Sequence, residues 1–158
     1  MAIERVREYL KRFGVEDRIL EFEVSSATVA LAAQALGCEE ARIAKTLSFV
    51  HGEECLLIVA AGDAKVDNAK FKAQFGMKAK MLTPEDAQRL VGHAVGGVCP
   101  FAVNAGVPVY LDASLKRFET VFPACGSASS AIEMTLAELE QFSCAAAWVD
   151  VCKGWQTE

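Results

Sequence analysis

Thr46-Leu47-Ser48-Phe49-Val50-His51-Gly52-Glu53-Glu54-Cys55-Leu56-Leu57-Ile58-Val59-Ala60-Ala61 is the stretch on which the architecture turns. Two apolar runs, 46–50 and 55–61, flank the short polar turn 51–54, which contains a glycine. That is the pattern of two strands joined as a hairpin. Hairpin pairing is antiparallel, so a sheet containing it is not built of βαβ units alone.

Outward from the hairpin, helices and strands interleave. On the N-terminal side, apolar residues at helical spacing predict a helix over 3–13, closed by Gly14. Residues 19–24 read as a strand. Ser25-Ser26 supplies an N-cap for an alanine-rich helix over 27–36, ended by Gly37, and 38–44 reads as a short second helix. On the C-terminal side, 67–75 is a predicted helix stopped by Gly76, and 77–82 a predicted strand. Thr83-Pro84-Glu85-Asp86 carries a cap, a first-turn proline and an acidic first turn. Strands are predicted at 107–111, 120–122, 130–134 and 145–151, with 112–116 as a turn or short helix. Thr135-Leu136-Ala137-Glu138 is a capping box opening a helix to Phe142. Several strands are separated by short turns without strict alternation. The expected fold is α/β of the α+β kind: one domain over residues 1–158, with a mixed, curled sheet surrounded by helices.

Composition narrows the function classes. The chain has 158 residues, 53% of them hydrophobic, and a formal net charge of −5. That charge argues against non-specific coating of nucleic acid. It still leaves a local basic cluster, Lys65, Lys70, Lys72, Lys78 and Lys80, which is either a solvated helix face with the turn after it or a docking place for a polyanion. No apolar run approaches the roughly 20 residues that cross a bilayer. The amphipathic, charged N-terminus is unlike a signal peptide, so a cytoplasmic protein is expected. The six cysteines, without any Cys-x-x-Cys pair, read as reduced core thiols. Only two histidines occur, neither at ligand spacing from a cysteine or carboxylate, so no metal site and no cofactor are expected.

Two places carry candidate chemistry. In Gly96-Gly97-Val98-Cys99-Pro100-Phe101, paired glycines followed by proline are rejected by helix and central strand alike. Glycines there let main-chain N–H groups approach a ligand. A plain connection between strands is the alternative reading of the same residues. Cys99 is either a nucleophile or a packed thiol, and His93 is the only base near it in sequence. Lys45, entering the apolar run of the hairpin, either snorkels to the surface or presents a cation to a phosphate or an oxyanion.

The residues also resemble a family. Val24-Ser25-Ser26-x-Thr28, Ala32-Ala33-x-Ala35-Leu36-Gly37 and Ile43-Ala44-Lys45-Thr46-Leu47 are similar to the opening half of YbaK/ProX proteins. The similarity continues through Ala61-Gly62-Asp63, Gly96-Gly97-Val98-x-Pro100-Phe101, Val109-Tyr110-Leu111-Asp112 and Cys125-Gly126-Ser127. These proteins are free-standing aminoacyl-tRNA deacylases related to the editing domain of bacterial prolyl-tRNA synthetases. The resemblance implies a YbaK/aminoacyl-tRNA synthetase-associated domain with no metal and no classical triad. It implies a trans-editing hydrolase that cleaves the ester of a mischarged tRNA, carrying a small amino acid on tRNA-Pro or a similar tRNA. The alternative is a catalytically inactive tRNA- or synthetase-binding module on the same fold.

By the same resemblance, Lys45 and Gly96 are the catalytic positions. Thr28, Thr46, Gly97, Val98, Cys99, Pro100, Phe101, Gly126 and Ser127 line the substrate. With a tRNA as the polyanion, the Lys65–Lys80 cluster read from charge is the expected tRNA contact. The implied partners are a misacylated tRNA acceptor end and an aminoacyl-tRNA synthetase. The cysteinyl-tRNA branch carries a phenylalanine and an aspartate where this chain has Thr28 and Ala131. The Thr28 pattern resembles the ProX-like branches that clear alanine or other small residues.

Overall fold

The computed structural model describes residues 2–23, 28–93, 98–127 and 129–155. In chain order it contains α1 (Ala2–Lys11), β1 (Leu20–Glu21), α2 (Val29–Leu36), β2 (Ile43–His51), β3 (Glu54–Ala61), β4 (Lys65–Val66) and α3 (Asn68–Phe75). There follow α4 (Pro84–Asp86), β5 (Val109–Asp112), β6 (Thr120–Pro123), β7 (Ser130–Ala131), β8 (Met134–Thr135), α5 (Leu136–Phe142), β9 (Ala147–Val149) and β10 (Cys152–Lys153).

The hairpin is the centre of a curled, mixed six-stranded sheet of order β8-β6-β2-β3-β5-β9. β2 and β3 pair antiparallel from Ala44↔Ala61 to His51↔Glu54. The turn residue Gly52 has φ +65, which glycine adopts without a Cβ penalty. β6 joins β2 in parallel, and β5 and β9 extend the other side in parallel. Parallel neighbours must be covered on their faces. Accordingly Leu56, Leu57, Ile58, Val59, Ala60 and Ala61 of β3 are all fully buried.

Helices form where their caps lie. Thr135 and Glu138 make the reciprocal capping box of α5. Asp67 accepts from the Ala69 and Lys70 amides and starts α3, which Gly76 ends at φ +74. Phe71 of α3 packs on Phe49 of β2, ring centroids 4.9 Å apart. α2 buries Ala32 and Ala33 with Ile43, and Phe122 packs beside them. Among the described residues no helix is long and apolar enough to cross a membrane.

Four expectations are corrected. The cap of α2 is Thr28, whose hydroxyl accepts from the Leu31 amide at 3.1 Å; Ser25 and Ser26 lie outside the described residues. The helix expected at 38–44 is a single 3-10 turn, Glu40–Arg42, after which β2 already begins. The strand expected over 77–82 is reduced to one bridge, Phe49↔Met81, supported by bonds from Val50 N–H to the Lys80 carbonyl and from Leu82 N–H to the Ser48 carbonyl. The strand expected over 130–134 is split into β7 and β8, which pair with β1 and β6 respectively.

Candidate active site

A cavity of about 450 Å³ runs along β2 from Ile43 to Ser48. α2 closes one side with Thr28, Val29 and Ala32; Met81, Leu82 and Pro84 close another. Val98, Phe122, Ala124, Ser130 and Ala131 complete it. Four of the residues named from sequence therefore share one wall system: Thr28, Lys45, Thr46 and Val98.

Lys45 is half-buried, and its ammonium donates to the carbonyls of Gly62, at 3.4 Å, and Ala64. Those carbonyls are in reach because the register sets Ala44 opposite Ala61, so the chain leaving β3 turns back beside Lys45. Burial pushes the Lys45 pKa down, while the nearby Asp63 carboxylate acts in the opposite direction. An ammonium has three N–H donors, so two carbonyl partners leave one free for a ligand.

The turn that carries these carbonyls is itself fixed. A Cβ on Gly62 would stand 2.0 Å from the Glu40 carbonyl oxygen and 2.7 Å from Val29 Cγ1, so only glycine fits. Arg117 donates to both Asp63 oxygens, at 2.6 and 2.9 Å, and holds that carboxyl below its usual range. Asp112 is wholly buried and structural. Its oxygens accept from the Ser114 and Val151 amides, both at 2.9 Å, and Ser114 Oγ in turn accepts from the Ala61 amide.

Thr46 adds a second polar feature. Its hydroxyl is buried without a partner among the described residues. An unpaired buried hydroxyl costs free energy that a ligand group would recover.

Other residues named from sequence fall elsewhere. Cys99, Pro100 and Phe101 are buried behind Val98 and do not line the cavity. Cys99 Sγ lies 3.6 Å from both His93 Nε2 and the Phe101 carbonyl oxygen, and its burial raises the thiol pKa to about 12. Burial keeps His93 neutral by lowering its pKa. A thiol so far from ionisation and sealed from solvent is packing, and the nucleophile reading of Cys99 finds no support here. Gly126 is buried off the cavity wall. Ser127 is off it too, but its hydroxyl donates to Ser130 Oγ at 2.9 Å and so braces a lining residue. Gly96 and Gly97 lie outside the described residues.

The lysine cluster divides. Lys70 is tied to Asp150 and to the Cys152 carbonyl, both at 3.1 Å. Lys65 lies on β4, opposite Lys153 of β10. Lys72, Lys78 and Lys80 are exposed, and Lys80 adjoins Met81 of the cavity wall. Met81 itself is 55% exposed, and sequence gave no sign that it would reach the site. Among the described residues no three His, Cys, Asp or Glu side chains gather as a metal ion would require.

The model of the aminoacyl-tRNA editing domain matches residues 23–142, the segment holding every wall just described. The chain belongs to the aminoacyl-tRNA editing domain family. Among solved structures, this editing domain is similar to a candidate trans-editing enzyme for prolyl tRNA synthetase, with TM-score 0.86, 31% identity and coverage of 97% of this chain and 98% of that one. The hypothetical protein APE2540 has TM-score 0.83 and 27% identity over 94% of this chain and 99% of its own. The uncharacterized Bacillus subtilis (strain 168) protein YwhH is 52% identical over 157 residues, 99% of this chain and 100% of its own.

Proposed function

We propose that this editing domain is a trans-editing deacylase. It hydrolyses the ester between a small amino acid and the terminal ribose of a misacylated tRNA, carried on tRNA-Pro or a similar tRNA. The observation that carries this reading is the cavity beside Lys45, whose wall is trimmed by Ala32, Ala44, Ala124 and Ala131. Small side chains around a cation leave room for a short acyl group and its ester carbonyl. Pocket size alone discriminates by only about 1–3 kcal/mol per methylene, which is why a separate hydrolytic sieve after a synthetase is useful.

In the proposed reaction a water oxygen bonds to the ester carbonyl carbon. The bond from that carbon to the ribose oxygen breaks, and the proton lost by water ends on the ribose oxygen. The products are the free amino acid and an uncharged tRNA. An aminoacyl ester is already activated, so positioning and oxyanion stabilisation supply the acceleration. The remaining Lys45 N–H is assigned to the oxyanion or to the terminal phosphate. Thr46 Oγ1 is assigned to a polar group of the substrate, and Thr28 and Val98 to the acyl wall. Gly96 and Gly97 are proposed to bring main-chain N–H groups to the ester. Lys72, Lys78 and Lys80 are proposed to meet the acceptor stem, together with Lys65 and Lys70. A synthetase partner and a cytoplasmic location belong to the same proposal.

The test is deacylation of a panel of mischarged tRNAs, with the acyl group varied from glycine and alanine to proline and cysteine. Faster hydrolysis of a small acyl group than of its larger neighbours is expected. If no member of the panel is hydrolysed above the uncatalysed rate, the deacylase reading is lost and a binding module takes its place.

A further inference from the structure

The segment between α4 and β5 is closed at its base by three successive rungs. In the first, the Asn104 amide donates to the Val91 carbonyl at 2.9 Å, while Asn104 Nδ2 donates to the carbonyls of Arg89 and Leu90, both at 3.0 Å. The second comes from a distant part of the chain. Arg5 of α1 donates through Nη1 to the Gly92 carbonyl at 3.1 Å and through Nη2 to the Ala102 carbonyl at 2.8 Å. The third is internal: His93 Nε2 lies 2.8 Å from the Phe101 carbonyl, which can only accept, so the imidazole donates there.

Several local features exist to permit the Arg5 rung. A Cβ on Gly92, where φ is +98, would stand 2.8 Å from Asn104 Oδ1 and 3.1 Å from Arg5 Nη1. Ala102 holds φ +53, a conformation that a residue with a Cβ keeps only when its surroundings impose it. Its carbonyl is one of the two that Arg5 grips. Between the rungs, Cys99, Pro100 and Phe101 are buried as a plug, and the next residue toward the N-terminus, Val98, emerges on the cavity wall.

We infer that Arg5 and His93 are positioning residues that set where Val98 stands in the cavity, and thereby which acyl groups fit. This rests on the deacylase reading above. One guanidinium spans two chain ends with donors in a fixed fork, which a lysine ammonium does not reproduce. Neither Arg5 nor His93 lines the cavity, so their effect reaches the substrate only through the backbone that carries Val98.

The experiment compares Arg5→Ala, Arg5→Lys and His93→Gln with wild type on the same panel of mischarged tRNAs, with melting measured alongside. Arg12→Met serves as control, since Arg12 is an exposed residue of the N-terminal segment resting on the Tyr9 ring. Arg5→Ala should lower kcat/KM for the favoured substrate on the order of tenfold and narrow its preference over the next larger acyl group several-fold, as a small misplacement does. Arg5→Lys should keep the fold and recover only part of the preference. Added methylguanidinium should restore Arg5→Ala but not Arg5→Lys, whose stem fills the gap. His93→Gln, which retains an N–H donor, should stay nearer to wild type than Arg5→Ala. An unchanged acyl preference in a folded Arg5→Ala overturns the inference and leaves the deacylase reading standing. If Arg5→Ala does not fold, an unchanged preference in Arg5→Lys does the same. A wild type without deacylation on any substrate removes the deacylase reading itself, a different result from either.

Discussion

Lys45 and Cys99 were the two reactive side chains that the sequence put forward, and the fold treats them oppositely. Lys45 opens on a cavity, with its cation braced by two carbonyls and one donor to spare. Cys99 is wholly buried, with its thiol pushed up to about 12 and its nearest base held neutral. Intrinsic reactivity favours the thiol over the ammonium; access and desolvation reverse the order. What a group can do here is decided by the wall it stands in.

The sharpest way to break this comparison is at Gly62, which supplies a carbonyl to Lys45. Gly62→Ala drives a Cβ into the Glu40 backbone. A loss of about 3 kcal/mol or more of stability is expected, read by denaturant unfolding, because overpacking against main chain has no flexible side chain to give way. A stable Gly62→Ala protein would show that the turn holding the Lys45 ammonium is not rigid.

Lys45 itself comes next. Lys45→Ala should cut kcat/KM at least tenfold, roughly 1.4 kcal/mol of barrier, with the fold intact by circular dichroism. Burial places the Lys45 pKa below the ordinary 10.5. A lysine loses its charge as pH rises through its pKa, so wild-type turnover, corrected for spontaneous ester hydrolysis, should decline on an alkaline limb below that value. In Lys45→Arg, which stays charged, residual activity should lack the limb. A limb of the same position in both enzymes would assign it to another group.

The smallest effect is expected at Cys99. Cys99→Ala should retain turnover within about threefold and cost about 1 kcal/mol of stability from lost packing. Alkylation of the native protein should spare Cys99 and reach the exposed Cys144 first. A folded but inactive Cys99→Ala would return the thiol to the mechanism and erase the contrast with Lys45.

Much of this arrangement could be read from residue order, and the failures share a cause. The hairpin, the capping box at Thr135 and the glycine stops at Gly37 and Gly76 are local signals, and each stands where it was expected. Lys45, Thr28, Thr46 and Val98 meet around one cavity, whereas Cys99, Pro100, Phe101, Gly126 and Ser127 do not line it. Two-residue strands such as β4 and β10 have no periodicity to detect, and they exist only because their partners arrive from the far end of the chain. The partners of Lys45 are carbonyls, which carry no side-chain signature; they depend on the β2–β3 register. Arg5 was legible only as one charge on an amphipathic helix, and nothing in its neighbours points to the carbonyls of Gly92 and Ala102. Asp112, by contrast, belongs to a stretch that carries the resemblance, and its carboxylate accepts from two backbone amides.

The central hairpin also has a consequence for how the protein comes into being. β2 and β3 close through a two-residue loop, whereas β6, β5 and β9 must each return from distant sequence to lie alongside them. Loop-closure entropy favours the short-range pair, so the hairpin is the natural first structure and the parallel additions are slow. Phe122, Ala124, Ser130 and Ala131 arrive with or after β6. Lys45 is therefore in place on its strand while that side of its cavity is still unfolded chain. During synthesis the site completes only after residue 131 has emerged, so a nascent or truncated chain that already has its central hairpin should have no acyl pocket.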